Sequence, residues 1–168
     1  MIEIENILTD SLAQALETMA FLTIMPPEDD MTAPEQTVLA EISFTGPKNG
    51  TIQILAGLDF CRILAENIGA LTDVSDETCH DALKELSNVT SGLLLPVLAY
   101  SQADVFDITI PTIKNGGDCP KWNEFVAQPK TCILNIEGYL VATRLTMKNK
   151  KASLEINYEQ EKFFGHKK

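Results

Sequence analysis

Asp81, Glu85, Asn88 and Gly92 stand in the stretch Asp81-Ala-Leu-Lys-Glu-Leu-Ser-Asn-Val-Thr-Ser-Gly92. At 100° per residue they fall within an arc of roughly 60° on a helix. Two carboxylates on one face can meet a cation, and a carboxamide both donates and accepts hydrogen bonds. Leu83, Leu86, Val89, Leu93 and Val97 occupy a different, apolar face. Periodicity alone is satisfied by an ordinary solvated helix face. The residue types argue for more. Asp81 and Glu85 are like charges at i, i+4, which mildly destabilises a helix. The Asn88 amide competes with the backbone. Gly92 costs about 0.8–1 kcal/mol relative to alanine. A stripe of locally unfavourable choices is where function is expected.

The helix that carries this stripe is predicted to start at Ser75, a good N-cap, with Asp76 and Glu77 suited to the helix dipole. It should run to about Tyr100, kinked at Pro96. Before it, Ile4, Ile7, Leu8, Leu12, Ala15, Leu16 and Met19 recur at helical spacing and define a first helix ending near Ala20. Residues 26–34 read as an acidic, proline-bearing loop. Residues 38–44 and 51–55 form a hairpin around Gly46-Pro47-Lys48-Asn49-Gly50. Asp59 can cap a short helix over 60–68, stopped by Gly69. Downstream, 105–113 reads as one strand and 114–130 as a long loop. The end is a meander: 132–136, 139–147 and 152–158, with a disordered tail from about 159. The expected fold is α+β, one domain over 1–168, with an antiparallel-rich sheet and long helices over one face.

Composition narrows the function. The formal net charge is −11. No Lys or Arg precedes Lys48, an imbalance that argues against a nucleic-acid groove. The start is acidic and unlike a signal peptide. The greasiest run, 92–100, is about half a membrane span. A cytoplasmic protein without membrane insertion follows. Cys61, Cys79, Cys119 and Cys132 show no C-x-x-C pairing and read as reduced thiols. Cys79-His80 has too few potential co-ligands for a metal site, so no metal is expected.

The spacing Asp81-x3-Glu85-x2-Asn88-x22-Pro111, with the local string Glu85-Leu-Ser-Asn88-x3-Gly92, resembles the active-site pattern of the CheC/CheX/FliY chemotaxis phosphatases. The order of helices and strands agrees over most of the chain. CheC-type members carry two such sites and the CheX type carries one. Here the first helix offers Asp10-x3-Gln14-x2-Glu17, lacking Glu and Asn at the matching positions, so the resemblance is to the CheX type. It implies a pseudo-duplicated fold and hydrolysis of the aspartyl phosphate on a CheY-like response regulator, in chemotaxis or two-component signalling. Asn88 would orient the attacking water, and Glu85 would pair with a regulator lysine beside the phosphate. Asp81 would play a supporting role, Gly92 would admit the partner's backbone, and Pro111 would shape a nearby strand. The chain would need no cofactor of its own, because the regulator supplies Mg²⁺. The resemblance also implies a homodimer formed through sheet edges, with 152–158 a candidate open edge. The alternative is a response-regulator-binding module without turnover. A structural role, as in FliM, is disfavoured by the presence of Glu85 and Asn88.

Overall fold

The computed structural model describes residues 3–69 and 72–148. Helix α1 spans Ile4–Ala20, and a two-residue strand β1, Ile24–Met25, follows it. Strands β2, Thr37–Thr45, and β3, Asn49–Gly57, form the expected hairpin, longer at both ends than the apolar runs suggested. Helix α2 covers Leu58–Gly69 and α3 covers Asp76–Leu98. The Ser75 hydroxyl accepts from the Thr78 amide at 3.2 Å, so the predicted cap is formed. Pro96 lies within the last turn, and the helix stops two residues later.

The single strand expected over 105–113 is two pieces, β4 at Asp107–Ile108 and β5 at Thr112–Asn115. Both pair antiparallel with β2, but out of step. Ile108 faces Phe44 and the Thr109 amide reaches the Ser43 carbonyl, whereas Thr112 faces Glu41. Ile110 and Pro111 therefore stand opposite Ile42 alone, a β-bulge at the sheet's edge. Pro111 has no amide to give to a ladder, and an edge bulge is where a sheet tolerates it. The proline is itself buried.

The loop expected over 114–130 is also structured. After β5 comes a 3₁₀ turn, Gly116–Asp118, then the short helix α4, Trp122–Val126. Strands β6, Thr131–Ile136, and β7, Tyr139–Lys148, complete the sheet. Their connection is the pair Glu137-Gly138, both at positive φ, as a two-residue primed turn requires. The third meander strand expected at 152–158 lies outside the described residues. The sheet order is β1-β6-β7-β3-β2, with β4 and β5 along the outer side of β2.

Strand alternation divides the core between two faces of this sheet. Val38, Ala40, Ile54, Ala56 and Val141 pack under α1, α2 and α3. At the far end of the same layer, Phe44, Ile52 and Leu145 meet Leu8, Leu94, Leu95 and Leu98. The opposite face carries Leu39, Leu55 and Ala142, covered by Cys119, Trp122 and Phe125. The long helices thus lie over one face, as expected, and the short segment around α4 covers the other. The segment around α4 shields the second face because its aromatic residues cannot remain in water without losing about 25 cal/mol per Å² of burial.

Along α3, the buried positions include Cys79, Leu83, Leu86, Ser87, Thr90, Ser91, Leu94 and Leu98. They lie opposite the polar stripe. Val89 and Leu93 are half-buried, and Val97, expected on the apolar face, is 58% exposed. Helix α3 packs against α1 and α2 as well as the sheet. Its buried arc therefore takes in the small residues Ser87, Thr90 and Ser91 beside Leu83, Leu86, Leu94 and Leu98, while Val89 and Val97 lie toward its margin.

Candidate functional site

The stripe on α3 forms as the spacing predicts. Asp81, Glu85, Asn88 and Gly92 are all exposed, on the side of α3 turned away from the core. Leu83 and Leu86 anchor the back of the helix with no exposure. The strong N-cap and three-sided packing hold α3 rigid, so the side chains of the stripe extend from a fixed rail.

Asp81 differs from the other two polar members. Its carboxylate accepts from Lys84 Nζ at 3.2 Å, one turn along. This is an exposed pair of small energetic weight. It has a geometric consequence: the one lysine beside the stripe is drawn toward Asp81. Among the described residues, neither Glu85 nor Asn88 has a side-chain hydrogen bond or ion pair. An exposed carboxylate and an exposed carboxamide one turn apart thus keep their full hydrogen-bonding capacity for an incoming group.

Gly92 extends the same row. A Cβ built on it meets nothing within 4 Å, so no internal contact requires the glycine. Beyond it the helix face opens into a groove of about 640 Å³, lined by Gly92, Leu95, Pro96, Tyr100, Phe106 and Ile108 among others. The wall at 100–104 is a tight turn held by Asp104. Its carboxylate accepts from the Tyr100 amide at 2.6 Å and from the Ser101 amide at 3.1 Å. These bonds, the Tyr100 amide first, hold the Asp104 carboxyl below the usual carboxylate range. The Lys48 ammonium sits 4.6 Å from the Tyr100 ring centre. Sequence reasoning missed this groove. The local signal is the alternation of Phe106 and Ile108, which by itself reads only as part of one strand over 105–113.

Pro111 is not on the stripe. It belongs to the bulge that ends β4, three residues after Ile108 of the groove wall. Cys79 and His80 do not act together: Cys79 is buried in the helical layer and His80 is half-buried beside it. Burial pushes the Cys61 and Cys79 thiols up, keeping both protonated at neutral pH. Among the described residues, no three His, Cys, Asp or Glu side chains gather as a metal-holding group. Nor is any described helix long and apolar enough to cross a membrane.

Comparison with known proteins bears on this geometry. Residues 38–131 match the family model described as chemotaxis phosphatase CheX. No curated protein sequence matches the chain. Among solved structures, a chemotaxis protein CheX from Desulfovibrio desulfuricans superposes with a TM-score of 0.66 at 18% identity, covering 88% of this chain and all (100%) of that one. CheX from Vibrio vulnificus gives 0.64 at 21% identity, covering 88% and 97%. A CheX-CheY-BeF3-Mg²⁺ complex from Borrelia burgdorferi contributes a chain matching at 0.61 and 17% identity, covering 89% and 100%. At these identities the likeness to the solved structures is one of fold.

Proposed function

The chain belongs to the CheX family of chemotaxis phosphatases, and from that premise we propose that it hydrolyses the aspartyl phosphate of a CheY-like response regulator with Asn88 and Glu85. The observation that carries this reading is the exposed pair itself, two polar side chains one turn apart with no side-chain partner among the described residues. The Borrelia complex, in which CheX is found with CheY, BeF3 and Mg²⁺, supports a regulator of that kind as the partner.

Hydrolysis of an acyl phosphate needs a water in line with the phosphoryl group, and most of the catalysis is positioning and charge stabilisation. The Asn88 carboxamide suits that task. Its oxygen accepts from the water while its NH₂ group donates to a second acceptor, which fixes the direction of the water's lone pair. It does not need to change protonation state during the reaction. Glu85 pairs with a lysine beside the regulator's phosphate and sets the register in which Asn88 arrives. Asp81 supports the same face by holding Lys84, so that this lysine does not neutralise Glu85 one residue away. Mg²⁺ comes with the regulator and offsets charge on the phosphoryl oxygens. The reading includes a cytoplasmic location, where response regulators work.

The test is incubation with a panel of phosphorylated response regulators from the same genome, following phosphate release. Faster release with one regulator, lost on Asn88→Ala, is the expected result. Binding without any release turns the reading into a regulator-binding module.

A further inference from the structure

The stripe does not end at Gly92. At 100° per residue, Pro96 and Ala99 fall on the same side of α3 as Glu85, Asn88 and Gly92, within an arc of roughly 80°. These last residues form one wall of the groove, and Tyr100, Phe106 and Ile108 form much of the rest. Tyr100 is 75% exposed and Ile108 44% exposed, so the groove presents large apolar surface to water beside the polar pair.

Three features point outward rather than to internal packing. Gly92 is disfavoured in a helix, yet a side chain there would meet nothing of this protein within 4 Å. Pro96 has no amide hydrogen, so the Gly92 carbonyl at the head of the groove lacks its usual helical donor. The opposite wall is pinned by the Asp104 hydrogen bonds, so the groove is preformed. A small residue, a helix ladder interrupted at Pro96 and a rigid apolar wall form the makings of a side-chain socket.

We infer that this groove is a docking socket for one apolar side chain, aromatic or long aliphatic, borne by the response regulator beside its phosphorylated aspartate. The inference rests on the phosphatase reading for the position of the partner. A regulator seated on Asn88 must extend along α3 in one direction or the other. Gly92 lies about 6 Å and Pro96 about 12 Å from Asn88 along the helix axis, at 1.5 Å per residue. The anchoring side chain therefore sits on the order of 10 Å from the phosphoryl group. The polar pair meets the phosphorylated site and the socket meets a side chain outside it, so the groove adds affinity for a regulator that bears an apolar residue there.

The experiment uses the full chain and the regulator panel activated with beryllofluoride and Mg²⁺, with affinity measured by titration calorimetry. Gly92→Leu fills the socket from its head, and Tyr100→Ser removes a wall. Both should weaken the regulator bound best by the parent at least tenfold. Melting of Gly92→Leu at or above the parent's temperature shows that the loss is not one of folding, and Tyr100→Ser provides the test should that variant not fold. Affinities within twofold of the parent for both variants overturn the inference. A changed sedimentation coefficient with unchanged regulator affinity also overturns it, assigning the groove to a second copy of this chain. Regulator binding by the parent without phosphate release removes the phosphatase reading and leaves the socket judged on affinity. Absence of binding to every regulator sinks both.

Discussion

Replacing Asn88 by alanine separates chemistry from folding and from docking. The side chain is exposed and makes no hydrogen bond among the described residues, so its removal opens no cavity and orphans no partner. Alanine is the better helix former by roughly 0.5 kcal/mol, and at this chain length that raises the melting temperature by about 1–2 °C. No charge is lost, so encounter with the regulator is unaltered. What disappears is an oriented amide aimed at the attacking water. Loss of one such preorganised group costs about 2.7–4 kcal/mol in the transition state, a fall of 10²–10³ in kcat. The assay is single-turnover dephosphorylation of a ³²P-labelled regulator at saturating phosphatase, beside titration of the beryllofluoride form. The expected pattern is a collapsed rate constant, an affinity within about twofold and a slightly higher melting temperature. A rate constant within threefold of the parent refutes the assignment of Asn88 to the water. A melting temperature lower by several degrees refutes its placement as a free, exposed side chain.

Glu85→Ala removes an interfacial ion pair, so regulator affinity should weaken by about 1–3 kcal/mol, with turnover falling alongside it. Added salt should weaken the parent more than this variant, as checked by binding at two ionic strengths. The Asp104 carboxyl, held low by the Tyr100 amide, should stabilise the 100–104 turn fully at pH 5–8. As pH falls below about 4 the unfolded chain takes up the proton first, and this contribution is lost. The melting-temperature gap between the parent and Asp104→Ala should therefore be constant near neutrality and close in acid. A homodimer through sheet edges should appear as a concentration-dependent shift in sedimentation velocity at micromolar protein, and a monomer throughout counts against it.

The stripe on α3 was legible in the sequence because helical periodicity is local. Ser75, the acids after it and the 3.6-residue repeat determine which residues share a face, before any packing is known. The β2–β3 and β6–β7 hairpins were legible for the same reason, since turn chemistry and alternation act over a few residues. So was the family resemblance, which needs only residue identities at given spacings. Three other features needed the tertiary structure. The break between β4 and β5 depends on Pro111 meeting a partner strand one residue out of step, which only the register with β2 reveals. The order in 114–130 arises because Trp122 and Phe125 find an apolar sheet face formed by Leu39, Leu55 and Ala142, far away along the chain. The buried face of α3 takes in Ser87, Thr90 and Ser91 beside its leucines because helices on two sides cover it, whereas hydropathy ranks those three residues as polar. The groove beyond Gly92 belongs with these. Its lining comes from the end of one helix and the edge of the sheet, and no local pattern joins Gly92 to Ile108. A helix face is determined by neighbours three and four residues apart, and a concavity by which segments the core draws together.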